Sequence, residues 1–148
     1  MDHECAKRGC RLTLTTGSEP CRLFGDQGKF IQVVMNLITN AIDAYAGMPS
    51  GEHPIRVTLR DTENAVEVEV ADNGCGIPDE HLPRIFDYLF TTKPADEGTG
   101  MGLTIVRDIV TGHFNGQIEV ESPPGAGACF RVTFPKRIIG LEHEMAIM

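Results

Sequence analysis

Between residues 30 and 42 the apolar positions Phe30, Val33, Val34, Leu37, Ile38, Ala41 and Ile42 recur every third or fourth residue. That spacing predicts an amphipathic helix. Asp26 can cap it, and Gly47-Met48-Pro49 ends it after about Ala46. Elsewhere the period is two. Residues 55–60 and 65–71 alternate apolar and polar and are joined by Asp61-Thr62-Glu63-Asn64, which predicts a hairpin. Short strands are expected over 11–15, 21–24, 117–121 and 129–134, the last two flanking the turn Pro123-Pro124-Gly125-Ala126-Gly127. A short helix is expected over 79–86, after Pro78. A longer one is expected over 101–114, with Leu103, Ile105, Val106, Ile109 and Val110 inward. Residues 91–100 are polar and read as a mobile loop. The pattern is that of an α+β fold, a two-layer α/β sandwich with a mixed, mostly antiparallel sheet covered by about three helices.

At 148 residues and 41% hydrophobic, the chain has the size and core of one ordinary domain, expected over 1–137 with an appendage over 138–148. A net charge of −8 weighs against a main role in gripping nucleic acid or an anionic membrane. It also means that a polyanionic ligand has to be held by metal, backbone N–H groups and a few local cations. No apolar run nears the roughly 20 residues that span a bilayer, and Met1-Asp2-His3-Glu4-Cys5 lacks the order of a secretory signal. The five cysteines form no C-x-x-C pair and read as reduced thiols of a cytoplasmic protein. Cys5 and Cys10 have no second ligand pair for a metal.

Three patterns carry chemistry. On the first helix, Gln32, Asn36, Asn40 and Asp43 gather on one side, three or four residues apart. Asn is a mediocre helix former; two in mid-helix suit a task, and amide oxygens suit Mg²⁺. A solvated face is the plainer alternative. Next, Asp72-Asn73-Gly74-Cys75-Gly76-Ile77 closes a strand. D-N-G is a common turn, but the second glycine lets bare backbone approach a flat ring, and Asp72 can accept from an exocyclic amine, favouring adenine over guanine. Lastly, Gly98-Thr99-Gly100-Met101-Gly102-Leu103 enters a helix whose first N–H groups attract phosphate. It is neither a P-loop nor a Rossmann fingerprint, and a hinge is compatible with it. Lys93, in the polar loop before it, is a candidate cation for a terminal phosphate. Together these residues describe a pocket for a magnesium nucleotide.

The order of these motifs is more specific than any one of them. N-L-I-T-N-A-I-D-A, D-N-G-C-G-I-P, I-F-D-Y-L-F-T-T-K-P and G-T-G-M-G-L-T-I-V closely resemble the catalytic and ATP-binding domain of sensor histidine kinases, within the superfamily of gyrase, the MutL repair ATPases and heat-shock chaperone ATPases. The resemblance runs from about Arg11 to Pro135. It implies ATP bound between the amide helix and a flexible lid, with Mg²⁺ held by Asn40 and neighbouring Asn36. It assigns adenine to Asp72, with Gly74, Gly76 and Ile77 forming that pocket, and Asp43 of the amide helix is a further expected nucleotide-binding position. Thr92 and Lys93 would sit in the lid, and Gly98, Thr99, Gly100, Met101, Gly102 and Leu103 would meet the phosphates. Asn36, Asn40 and Lys93 are the expected catalytic positions.

Hydrolysing relatives usually carry Glu where this chain has Asn36. Asparagine has no useful basicity, so the acceptor's side would supply the base, as in histidine kinases. The T-T-K-P lid resembles the nitrogen-regulation-like branch. Histidine kinases keep the target histidine on a separate dimerisation hairpin, and His3, His53, His81, His113 and His143 do not stand in that context. The expectation is therefore a catalytic half that transfers the terminal phosphoryl group of Mg-ATP to a partner hairpin and serves a response regulator receiver domain. A nucleotide-gated interaction module without phosphotransfer, or a stand-alone ATPase, is the alternative.

Overall fold

A computed structural model describes residues 9–17, 21–49, 51–87, 102–136 and 144–147. Among the described residues seven strands are present: β1 (Cys10–Thr15), β2 (Cys21–Phe24), β3 (His53–Asp61), β4 (Ala65–Asp72), β5 (Gln117–Glu121), β6 (Cys129–Pro135) and β7 (Glu144–Ile147). Five of them form one sheet in the order β1-β3-β4-β6-β5. All its pairings are antiparallel except β1 with β3, where Cys10 lies opposite His53 and Leu14 opposite Val57.

Period-two alternation puts Ile55, Val57 and Leu59 of β3, Val66, Val68 and Val70 of β4, and Phe130, Val132 and Phe134 of β6 on one buried face. Helix α1 (Gln27–Asp43) lies over that face and buries Phe30, Val33, Leu37, Ile38, Ala41 and Ile42. Asp26 caps it by accepting from the Lys29 N–H at 3.1 Å. Helix α2 (Gly102–Asp108) follows, extended by a π-helical turn over Ile109–His113. That turn ends with the Phe114 N–H donating to the Ile109 carbonyl, and Phe114 meets Phe134 edge-on with ring centroids 4.9 Å apart. The layers are those expected: a mixed sheet with helices on one face.

Three elements differ from the sequence pattern. The helix expected over 79–86 is only a 3₁₀ turn at Leu82–Arg84. Pro83 inside it removes a backbone donor that a longer helix needs, while the Pro78 carbonyl accepts from the His81 and Leu82 N–H groups and closes only a turn. The first helix stops at Asp43 instead of Ala46 and tightens into turns in which Tyr45, Ala46 and Met48 donate three residues back; Gly47, at φ +78°, turns the chain away. Within the tail expected as an appendage, Glu144–Ile147 supplies β7, antiparallel to β2.

Candidate functional site

Asp72 is the last residue of β4, and its side chain continues the inward row Val66, Val68, Val70. A carboxyl is thereby carried to the end of an apolar face and left 2% exposed. Its Oδ1 accepts from the Gly74 N–H at 2.8 Å. Burial pushes the carboxyl above the usual carboxylate range, opposed by the N–H groups of Gly74 and Ala128 and by the Arg56 guanidinium. A desolvated acceptor aimed by one backbone bond is suited to reading a donor on a flat ring, because a misplaced carbonyl there leaves a buried group unpaired at a cost of about 1–3 kcal/mol.

The end of α1 is joined to this turn by backbone. The Ala44 N–H donates to the Asn40 carbonyl at 3.0 Å, and the Ala44 carbonyl accepts from the Cys75 N–H at 2.9 Å. The amide-bearing end of the helix and the acid-bearing end of the strand are thus two hydrogen bonds apart. Asn36, Asn40 and Asp43 are half-buried. Gly74 is what allows the approach: a Cβ there would lie 2.5 Å from the Ala44 carbonyl oxygen. The space freed by this glycine is taken by the helix end. Gly76, at φ +75°, needs its missing side chain for backbone reasons.

A second set of ties comes from residues the motifs do not contain. The Tyr45 hydroxyl donates to the Pro54 carbonyl and accepts from the Asn73 N–H. Arg56 donates to the Asn73 side-chain oxygen at 3.3 Å. Ser122 Oγ accepts from the Ile77 N–H at 2.7 Å and donates to the Gly127 carbonyl at 2.6 Å, tying the Asp72 turn to the β5–β6 connection. The glycines of the Pro123–Gly127 turn were a visible signal for Gly127; nothing local marked Tyr45 or Ser122.

Gly102 opens α2, where an added Cβ would meet none of the described residues within 4 Å, and Leu103 packs against the core. Thr104, buried in the first turn, donates to the Phe86 carbonyl at 2.9 Å and so pins together the chain on either side of residues 88–101. The candidates Thr92, Lys93, Gly98, Thr99, Gly100 and Met101 lie outside the described residues. Among the described residues no group of three or more His, Cys, Asp or Glu side chains could hold a metal, and no helix is long and apolar enough to cross a membrane.

Comparison with known proteins gives this arrangement its relatives. A family model described as histidine kinase-, DNA gyrase B- and HSP90-like ATPase matches residues 25–138. The sensor histidine kinase ZraS of Klebsiella oxytoca is 38% identical over 136 residues, which cover 91% of this chain but 28% of that protein. The chain thus spans less than a third of that relative's length. The nucleotide-free catalytic domain of histidine kinase ThkA is similar in structure, with a TM-score of 0.78 and 32% identity over 91% of this chain and 86% of that one. ThkA in complex with response regulator protein TrrA is also similar, with a TM-score of 0.73 and 31% identity, covering 92% of this chain and 37% of that one. The chain belongs to the histidine kinase-, DNA gyrase B- and HSP90-like ATPase family, as a catalytic domain of the sensor histidine kinase type.

Proposed function

We propose that this domain binds Mg-ATP and transfers its terminal phosphoryl group to a histidine on a separate dimerisation hairpin. The observation that carries the reading is the buried Asp72 carboxyl, held at the strand end by the Gly74 N–H and joined through Cys75 and Ala44 to the end of α1. Asp72 accepts from the adenine amine, with Gly74, Gly76 and Ile77 lining the ring pocket. Asn36 and Asn40 face the phosphates, as does Asp43 at the helix end. Thr92 and Lys93, with Gly98, Thr99, Gly100, Met101, Gly102 and Leu103, complete the phosphate end.

The donor set fits magnesium. Two half-buried amides one helical turn apart offer hard oxygen ligands, with the remaining ligands left to phosphate and water. When bound, the ion neutralises phosphate charge. The chain's own residues position the substrate: Asp72 fixes one end, the amide helix and Lys93 the other, so that the terminal phosphorus is presented in line. In the transfer, the bond from that phosphorus to the bridging oxygen breaks and a nitrogen–phosphorus bond to the imidazole forms. ADP leaves with the bond electrons, and the imidazole proton passes to a base on the hairpin. Asn36 has no useful basicity, which disfavours steady hydrolysis of ATP by this chain alone.

The T-T-K-P segment supports the nitrogen-regulation-like branch, and ATP use supports a cytoplasmic location. The similar ThkA complex with a response regulator supports a receiver domain as the final phosphoryl acceptor. Calorimetry tests the nucleotide site: Asp72→Asn removes most ATP affinity, and unchanged affinity would refute the adenine assignment. Adding a separately made hairpin with radiolabelled ATP tests transfer; the expected product is labelled histidine, and no label under any condition favours a binding module.

A further inference from the structure

One buried hydroxyl beside the Asp72 turn has no part in the mechanism above. Tyr45 lies two residues beyond α1 and is 4% exposed. Its ring stacks on His53, with centroids 4.4 Å apart and planes 7° from parallel. His53 is itself paired with the Pro49 carbonyl through Nε2 at 3.1 Å. The Tyr45 hydroxyl donates its proton to the Pro54 carbonyl of β3 and accepts the Asn73 N–H at 2.7 Å. Helix end, strand start and acid turn therefore meet at a single oxygen.

Asn73 follows Asp72 directly, so its N–H orients the peptide plane next to the carboxyl-bearing residue. The neighbouring Ala44 carbonyl takes the Cys75 N–H at 2.9 Å. Residues 44 and 45 hence grip the turn on both sides of Gly74, whose N–H aims the Asp72 carboxyl. An acceptor that separates an amine from a carbonyl on a flat ring depends on this aim, since displacements of about 1 Å at a reacting or binding group cost up to roughly 100-fold.

We infer that Tyr45 is a positioning residue for purine selection: through the Asn73 N–H it sets where the Asp72 carboxyl stands relative to the amide face of α1. It does so without touching the nucleotide. The inference rests on the reading of Asp72 as the adenine acceptor.

Tyr45→Phe keeps the ring and the stack and removes the shared oxygen. Affinities for ADP and GDP are measured by calorimetry or competition for the wild type, Tyr45→Phe, Asp72→Asn and the double variant. Tyr45→Phe is expected to weaken ADP about 10-fold or more while GDP changes by less than about 2-fold, so that the ratio of the two falls. In the Asp72→Asn background the Phe substitution has no further effect on ADP. A lower melting temperature with an unchanged ADP-to-GDP ratio overturns the inference and leaves the Asp72 reading intact. Full ADP affinity in Asp72→Asn overturns both. Hydrogen exchange in the wild type needs no variant to fold: binding that depends on the Tyr45–Asn73 bond slows exchange of the Asn73 amide when ADP is added, and an unchanged rate counts against Tyr45.

Discussion

The Asp72 carbonyl oxygen occupies the place a side chain at Gly127 would need: a Cβ built there lies 2.2 Å from it. Gly127 also has φ +72°. Two conditions therefore forbid a side chain at a position 55 residues away in sequence from the acid it supports, by its place in the chain. Gly127→Ala is expected to cost about 2–4 kcal/mol of stability through overpacking and left-handed strain, and to weaken ADP binding. Gly125→Ala is the control. It has φ +77° but open space around it, so it carries about 1–2 kcal/mol of backbone strain and leaves ADP affinity unchanged. Denaturant titration with ADP calorimetry separates the two, and equal ADP affinity in both variants would contradict the contact's role.

Asp72 makes stability and binding pull in opposite directions. Burial raises its folded-state pKa above the ordinary aspartate value. The folded chain thus holds this proton more tightly than the unfolded one. Stability contributed at this site falls as pH rises from the unfolded value through the folded one, and the cost is complete above that window. Asp72→Asn removes the cost. Its denaturation midpoint should exceed that of the wild type at pH 7.5, with the difference shrinking as the medium is acidified through the window, while nucleotide binding is lost. A lower midpoint at pH 7.5 would mean that the carboxylate is stabilised by its surroundings.

Asn40 tests the phosphate end. An aspartate at this position adds a negative charge near the proposed triphosphate, and one unit charge at about 5 Å and an effective dielectric of about 20 amounts to roughly 3 kcal/mol. Asn40→Asp should weaken ATP binding about 10-fold to 100-fold, more severely in chelator than in Mg²⁺. Wild-type affinity that is the same with and without Mg²⁺ would remove the metal from the site.

The outer face of the sheet should be separable from nucleotide binding. Glu69 Oε1 accepts from Arg60 and from Arg131, each at 2.7 Å. The Arg60 bond foremost holds the Glu69 carboxyl below its usual range of about 4.5, with Arg131 adding to it. A depressed folded-state pKa contributes stability that is present above the unfolded value and lost as pH falls through the folded one. Glu69→Gln is therefore expected to cost about 1–2 kcal/mol at pH 7, to approach the wild type in acid, and to leave ADP affinity untouched. A change in ADP affinity would reveal coupling across the sheet.

Local periodicity carried far in this chain. Of the seven apolar positions read from the first helix, six are buried and Val34 is half-buried. The β3–β4 hairpin was legible for the same reason: burial of one face imposes a period that neighbouring residues alone record. The row Val66, Val68, Val70 even carries Asp72 inward, so the acid was marked both by its turn and by its phase. The helix expected over 79–86 shrinks to a 3₁₀ turn because Pro83 in its interior lacks the N–H that an α-helical turn needs there.

What the sequence determined by itself was the set of elements and the chemical character of the acid turn and amide helix, since spacing and residue type are properties of adjacent positions. Tertiary structure alone decided that Gly74 yields its space to Ala44, that Gly127 backs Asp72, that Tyr45 ties helix to turn, and that β1 runs parallel to β3. Those contacts join residues far apart along the chain, and no local pattern records a distance that only packing creates.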